Sequence, residues 1–223
     1  MDAYWIEQTE SDVPSGNQWL SGQELSRLGE LRFDKRRADW RLGRWTAKLA
    51  AASLLKLPLD IPFLVDIEIR AAPSGAPELF LFNQKSDVGL SLSHRGGRAL
   101  CVVALSGPNP GCDLELVESR DPSFVTDFFT ANEQKLLDRA SPEKRATLTA
   151  LLWSAKESAL KSLHLGLRLD TTSLDVSPTD YRAADSSNDW SSLSVRAASE
   201  GIFCGWWRCT NNMVRTVVFN PLP

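Results

Sequence analysis

Apolar residues recur along this chain at two periods, and the changes of period divide it into elements. Residues 1–20 read as an opening strand or loop, with Trp5 and Ile6 as core contacts. Ser21 stands three residues before Glu24, the spacing at which a cap hydroxyl and a carboxylate satisfy each other's backbone amides at a helix start. Leu25, Leu28 and Leu31 continue that helix. A longer helix is predicted over about 34–57. Its apolar stripe is Ala38, Leu42, Trp45, Leu49 and Ala52, and Pro58 stops it. Strands are predicted over 65–70, 78–82, 88–94 and 99–105, the last almost wholly apolar and therefore central. Turns at 73–77 and at Arg95-Gly96-Gly97 punctuate them.

The run Ser106-Gly107-Pro108-Asn109-Pro110-Gly111 is the best candidate hinge. Beyond it comes a short strand through Asp113 and Glu115, then helices over 124–129 and 133–140. The second of these is capped by Thr130 with Glu133 three residues on. A long helix over 142–164 has proline in its first turn and ends at Gly166. Strands follow at 173–176, 193–196, 203–209 and 214–219, with a polar loop over 180–192. Each half runs helices and then antiparallel strands. The expected fold class is α+β, in two comparable halves, 1–107 and 108–223, with no sequence repeat in view.

Composition narrows the function classes. The chain has 223 residues, 43% hydrophobic and 24% charged, an ordinary globular balance. No apolar run approaches the roughly 18 residues of a membrane span, and Met1–Glu7 shows no signal pattern, so a cytoplasmic protein is expected. Four cysteines without a CxxC pair and only two histidines argue against zinc, and with no secretion signal in view disulfides are not expected either. A net charge of −3 argues against a nucleic-acid partner. Yet Arg37, Arg41, Arg44 and Lys48 fall on one helical line, either a solvated face or the rim of a cleft for a small anion.

Three segments carry candidate chemistry. In residues 152–161, Leu152, Ala155 and Ala159 take the core face. Trp153, Glu157 and Lys161 recur four apart beside it, with Lys156 alongside. This is either a plain Glu–Lys pair on a solvated face or a site for a metal and the phosphates it holds. Asp113 and Glu115, two apart on a strand, share a face. With Glu157 they make three oxygen donors, a partial shell for Mg²⁺. Ser91 and Ser93 share a strand face, and His94 precedes Gly96-Gly97, as a phosphate cradle or as a plain strand end.

Read in order, these pieces resemble the 4′-phosphopantetheinyl transferase superfamily, in particular its longer, single-chain, surfactin-synthetase-activating type. The matching stretches are Gly43-Arg44 with Lys48; Gly75-x-Pro77; Ser91-Leu92-Ser93-His94; Gly111-Cys112-Asp113-Leu114-Glu115; Phe128-Phe129 with Glu133; and Trp153-Ser154-Ala155-Lys156-Glu157-Ser158-Ala159-Leu160-Lys161. The resemblance implies a monomer of two α+β halves related by a pseudo-two-fold, each a small antiparallel sheet packed by helices, with the active site between them. It implies transfer of the phosphopantetheine arm of coenzyme A to a serine of an apo acyl or peptidyl carrier protein, releasing 3′,5′-ADP.

In that scheme Mg²⁺ would sit on Asp113, Glu115 and Glu157, and Glu157 or a metal-bound water would accept the serine proton. Lys161 would offset charge on the leaving group, and Lys156 would help hold the phosphates. Arg44, Lys48, Ser93 and His94 would bind the 3′-phosphate and adenine end, making the first half the coenzyme A side and the second the catalytic side. The carrier would dock on an apolar patch within 124–137. Neither nucleic acid nor membrane would be a partner. Ala76 stands where the family often has lysine, and Arg95 is expected to supply that charge. Leu114 replaces a third acid found in several members. The alternatives are a non-catalytic descendant that binds coenzyme A or a carrier, and a Mg²⁺-dependent hydrolase of nucleotide pyrophosphates.

Overall fold

The computed structural model describes residues 2–105, 107–164, 169–179 and 189–220. The chain divides into two compact units, Met1–Asn109 and Pro110–Pro223.

In the first unit, strand β1 (Ala3–Thr9) leads to helices α1 (Gly22–Glu30) and α2 (Asp34–Leu55). The Ser21–Glu24 capping box forms as expected, and Lys56 closes α2 in the left-handed conformation. A one-turn helix, α3 (Ile61–Leu64), and a two-residue strand, β4 (Gln84–Lys85), were not expected. Both are too short to show a period, and Asp60 caps the first. Strands β1, β2 (Ile67–Ala71), β3 (Pro77–Leu81), β4, β5 (Gly89–Arg95) and β6 (Arg98–Ala104) form two three-stranded antiparallel sheets, β1-β6-β5 and β2-β3-β4. Strand β6, apolar from Ala99 to Ala104, is indeed central. Ala47, Ala50 and Ala51 let α2 lie close to the strands, and they are buried with Trp19, Leu28, Leu64, Ile67 and Leu79. Each large side chain so buried contributes roughly 1.5–3 kcal/mol relative to leaving it in water.

In the second unit, β7 (Pro110–Leu116) is followed by α4 (Pro122–Phe128), α5 (Ala131–Asp138) and α6 (Pro142–Ser162). Then come β8 (Leu174–Pro178), β9 (Ser191–Ala197), β10 (Gly201–Thr210) and β11 (Met213–Phe219). One antiparallel sheet results, in the order β7-β11-β10-β9-β8. Asn211 and Asn212, both at positive φ, turn the last hairpin. The expected stop at Gly166 and most of the 180–192 loop lie outside the described residues.

Helix α6 is seated on β7 and β11 by small and polar residues. A Cβ on Gly111 would stand 1.8 Å from the Ser158 carbonyl oxygen, so only glycine lets the strand come this near the helix. The Thr216 hydroxyl on β11 meets Ser154 Oγ at 2.8 Å and Ser158 Oγ at 2.7 Å, which satisfies three buried hydroxyls together. Among the described residues no helix is long and apolar enough to cross a membrane.

Candidate functional site

The close seating of α6 on β7 brings carboxylates and a lysine together. Asp113 and Glu115 alternate with buried Cys112 and Leu114, so both acids share one face of β7. Lys161 reaches from the last turn of α6 to Asp113 Oδ1 at 2.7 Å and donates a second bond to the Cys112 carbonyl at 3.1 Å. Glu157 lies one turn before Lys161 on α6. Burial raises its pKa above the usual carboxylate value, and the charges of Asp113 and then Glu115 act in the same direction, while Lys161 pulls the other way. Burial would depress Lys161, but the charge and hydrogen bond of Asp113, with Cys112 and Glu157, together outweigh it, and its pKa is raised.

This donor set suits a hard divalent cation. It is all oxygen, and its members repel one another in a way that a cation would relieve. The set is not closed around a point. Asp113 is held by Lys161, and Glu115 is held by Arg120 at 3.1 Å. Among the described residues no three His, Cys, Asp or Glu side chains already form a metal-ready cluster. The spacing of Asp113, Glu115 and Glu157 gave no hint of Arg120, which reaches the group from the segment after β7.

Two lysines expected at phosphates are engaged elsewhere. Lys156 is 0% exposed; its Nζ ion-pairs with Glu133 at 2.7 Å and donates to the Thr171 and Leu174 carbonyls at 2.7 and 2.8 Å. Lys48, also 0% exposed, pairs with Glu24 at 2.6 Å and donates to the Trp19 and Leu64 carbonyls at 2.9 and 2.8 Å. An ammonium group has three protons, and each of these lysines meets three acceptors inside the core. Both ammonium groups are thus enclosed by protein acceptors. Burial disfavours both charges of the second unit's pair, raising Glu133 and depressing Lys156, and each charge offsets the cost of the other.

In the first unit the arginine line does not act as one row. Arg37 is exposed, and Arg41 is tied to the Pro14, Ser15 and Gly16 carbonyls. Arg44 stacks over Trp40 with its guanidinium carbon 4.8 Å from the ring centroid, and its Nε is buried without a hydrogen-bond partner among the described residues. Burial lowers its pKa, Glu24 opposing and Arg27 reinforcing the effect. On β5, Ser91 and Ser93 are buried while His94 and Arg95 are exposed beside the Gly96-Gly97 turn. Arg95 stands opposite Arg98 across the hairpin.

Of the segment expected to face a carrier, Phe129 and Leu137 are core residues. Phe124 and Phe128 are half-buried and pack edge-on against Trp153, with ring centroids 5.0 and 5.3 Å away. A hollow of about 390 Å³ opens nearby, lined by Arg120, Val125, Gln134, Arg145 and Thr149 among others. Sequence reasoning missed it, because its walls come from separate helices.

Residues 109–204 match the 4′-phosphopantetheinyl transferase superfamily. The chain is 28% identical over 225 residues to a Synechocystis sp. protein provisionally named a 4′-phosphopantetheinyl transferase, covering 95% of this chain and 87% of that one. Among solved structures it is similar to a holo-(acyl-carrier-protein) synthase of Bacillus anthracis, in complex with coenzyme A (3′,5′-ADP), at 21% identity and a TM-score of 0.39, covering 46% of this chain and 92% of that one. The holo-[acyl-carrier-protein] synthase of Neisseria meningitidis gives 18% identity, the same TM-score of 0.39, and coverage of 46% and 94%.

Proposed function

We infer that this chain is a member of the 4′-phosphopantetheinyl transferase superfamily, as the match of residues 109–204 and the Synechocystis relative support. It transfers the phosphopantetheine group of coenzyme A to a serine of an apo acyl or peptidyl carrier protein. The observation that carries the chemistry is the 2.7 Å bond of Lys161 to Asp113, with Glu115 on the same face of β7 and Glu157 one turn before Lys161 on α6.

In this reaction the serine oxygen forms a bond to the pyrophosphate phosphorus nearer the pantetheine arm. The bond from that phosphorus to the bridging oxygen breaks, and 3′,5′-ADP leaves. Glu157 takes the serine proton. Lys161 keeps its charge beside the carboxylates and stabilises the negative leaving group. Asp113, Glu115 and Glu157 would hold Mg²⁺, which when bound supplies charge neutralisation of the pyrophosphate. Arg44, with Ser93, His94 and Arg95, binds the 3′-phosphate and adenine end. The unpaired Nε of Arg44 supports that role. The protein is of the longer single-chain type serving peptide or polyketide synthases, and it acts as a cytoplasmic monomer.

The test is the intact mass of an apo carrier protein incubated with this protein, coenzyme A and Mg²⁺, with an EDTA control. A gain of one phosphopantetheinyl group, lost with EDTA, is expected. Coenzyme A binding without transfer to any of several carriers would favour the binding-only descendant. Coenzyme A hydrolysis without an acceptor would favour the pyrophosphate hydrolase.

A further inference from the structure

We propose that Lys156 is a positioning residue, and that the Glu133–Lys156 pair sets the rotation of α6 and so the direction in which Glu157 points. Lys156 does not touch the coenzyme A phosphates. The identity of the substrate rests on the transferase reading above.

The chain uses one polar device twice. Glu133 is the third residue of α5 in a capping box with Thr130. Its Oε2 accepts from the Thr130 amide at 2.8 Å, its Oε1 from the Val176 amide of β8 at 2.8 Å, and Lys156 completes it at 2.7 Å. Glu24 is the third residue of α1 in a capping box with Ser21. Its Oε2 accepts from the Ser21 amide at 3.1 Å, its Oε1 from the Ile69 amide of β2 at 3.2 Å, and Lys48 completes it at 2.6 Å. Each ammonium also lies near one aromatic ring, Phe129 at 5.5 Å and Trp19 at 5.7 Å. Lys48 and Lys156 sit at the same depth, fourteen residues past the first residue of α2 and of α6. The repeat that the sequence hides lies in these few polar residues, tens of positions apart.

The two copies differ on the C-terminal side of the lysine. After Lys156 come Glu157 at one residue and Lys161 at five; after Lys48 the same places hold Leu49 and Ser53. The first copy keeps the full set of bonds on a helix with no charged group at those places. The device therefore serves helix seating, and seating is enough to explain the second copy. On α6 it has a consequence for the chemistry. Lys156 fastens one side of the helix to the Thr171–Leu174 segment, while Ser154, Ser158 and Lys161 fasten the other to β11 and β7. Held on both sides, α6 cannot rotate, and Glu157, next in sequence to Lys156, stays turned to the carboxylates of β7.

The first experiment uses the wild-type protein. Native amines are acylated with and without coenzyme A, and labelled lysines are identified by mass spectrometry. Lys156 and Lys48 should stay unlabelled in both states. Lys161, 29% exposed, should label slowly in the free protein, since its raised pKa leaves little neutral amine, and should be shielded by coenzyme A. Labelling of Lys156 that coenzyme A suppresses would overturn the proposal. A silent Lys156 with an unshielded Lys161 would leave the strut standing and count against the transferase reading of Lys161.

The second experiment is kinetic. Lys156→Met should lower kcat on the order of 100-fold by misplacing Glu157, with the coenzyme A KM within about twofold of wild type. Adding Glu133→Gln removes the stranded carboxylate charge and should recover part of kcat and of Tm. A KM raised tenfold and not recovered by Glu133→Gln, or a kcat that Lys156→Met leaves untouched, would refute the positioning role. If Lys156→Met does not fold, the labelling pattern decides alone.

Discussion

Lys161 Nζ lies 2.7 Å from Asp113 Oδ1, and this bond joins the last turn of α6 to the middle of β7. It neutralises one of the carboxylates whose charges act on Glu157, and it does so from a side chain that is still 29% exposed. A lysine placed so can answer charge that develops on a ligand, which Lys156 and Lys48 in their closed cages cannot. Lys161→Met should therefore lower kcat for transfer roughly 100-fold or more, the usual loss when a preorganised donor to developing charge is removed. Lys161→Arg should recover part of it. Steady-state kinetics on an apo carrier would check this, and unchanged kcat in Lys161→Met would remove it from the chemistry.

The seating that makes this bond possible depends on one missing side chain. A methyl group at position 111 would overlap the Ser158 carbonyl oxygen, which belongs to the helix backbone and has no rotamer to yield. Gly111→Ala should destabilise the protein by roughly 3 kcal/mol or more, and lower Tm by about 10 °C. Residual folded protein should transfer poorly, because strand and helix must separate where Asp113 and Lys161 meet. Thermal unfolding with a parallel activity assay would show it; a Tm within about 2 °C of wild type by that measurement would mean that the backbone shifts freely here.

Much of this arrangement could be read in the chain, for reasons that differ by residue. The capping boxes at Ser21–Glu24 and Thr130–Glu133 are local, so their spacing alone announces them. The shared face of Asp113 and Glu115 comes from strand alternation. The capping residues did not reveal their second task. Glu24 and Glu133 each hold a lysine more than twenty residues away, and a helical wheel, which turns Lys156 and Lys161 to different sides of α6, does not say which of them is enclosed. One is buried because α6 meets the Thr171–Leu174 segment there, a tertiary fact. For the same reason the arginine line of α2 broke up: Arg41 found loop carbonyls, Lys48 found Glu24, and only the neighbours of each could decide it.

Arg44 is one cation in that line with capacity to spare. Its Nε has no hydrogen-bond partner among the described residues, and burial disfavours its charge. Removing such a group should not destabilise the fold, and Arg44→Met should leave Tm unchanged or slightly raised. Affinity for coenzyme A should fall roughly 10–100-fold, the worth of a hydrogen bond to a charged group. Dephospho-coenzyme A, which lacks the 3′-phosphate, should bind wild type and variant alike. Calorimetric titration with both ligands separates the cases. Equal loss for both would place Arg44 away from that phosphate.

Glu157 links the chemistry to stability through pH. Burial, then Asp113, then Glu115 raise its folded pKa above the ordinary value of 4.5. The folded chain therefore holds a proton at pH values where the unfolded chain has released it. Stability rises with pH only where the unfolded state binds more protons, and here the folded state binds more. The contribution of this group is thus fully present below about 4.5 and is lost as pH rises through the folded value. Glu157→Gln carries no such charge. In metal-free protein under EDTA it should raise Tm at about pH 7–8 by roughly 2–4 °C per kcal/mol recovered, and the gain should shrink to nothing as pH falls toward about 4. The same variant should abolish transfer, because it has neither the carboxylate that takes the serine proton nor a charge to hold a divalent ion. Tm measured against pH for the two proteins decides the matter: parallel curves would mean that Glu157 feels neither burial nor its neighbours, and the case for a coupled carboxylate site would fall with it.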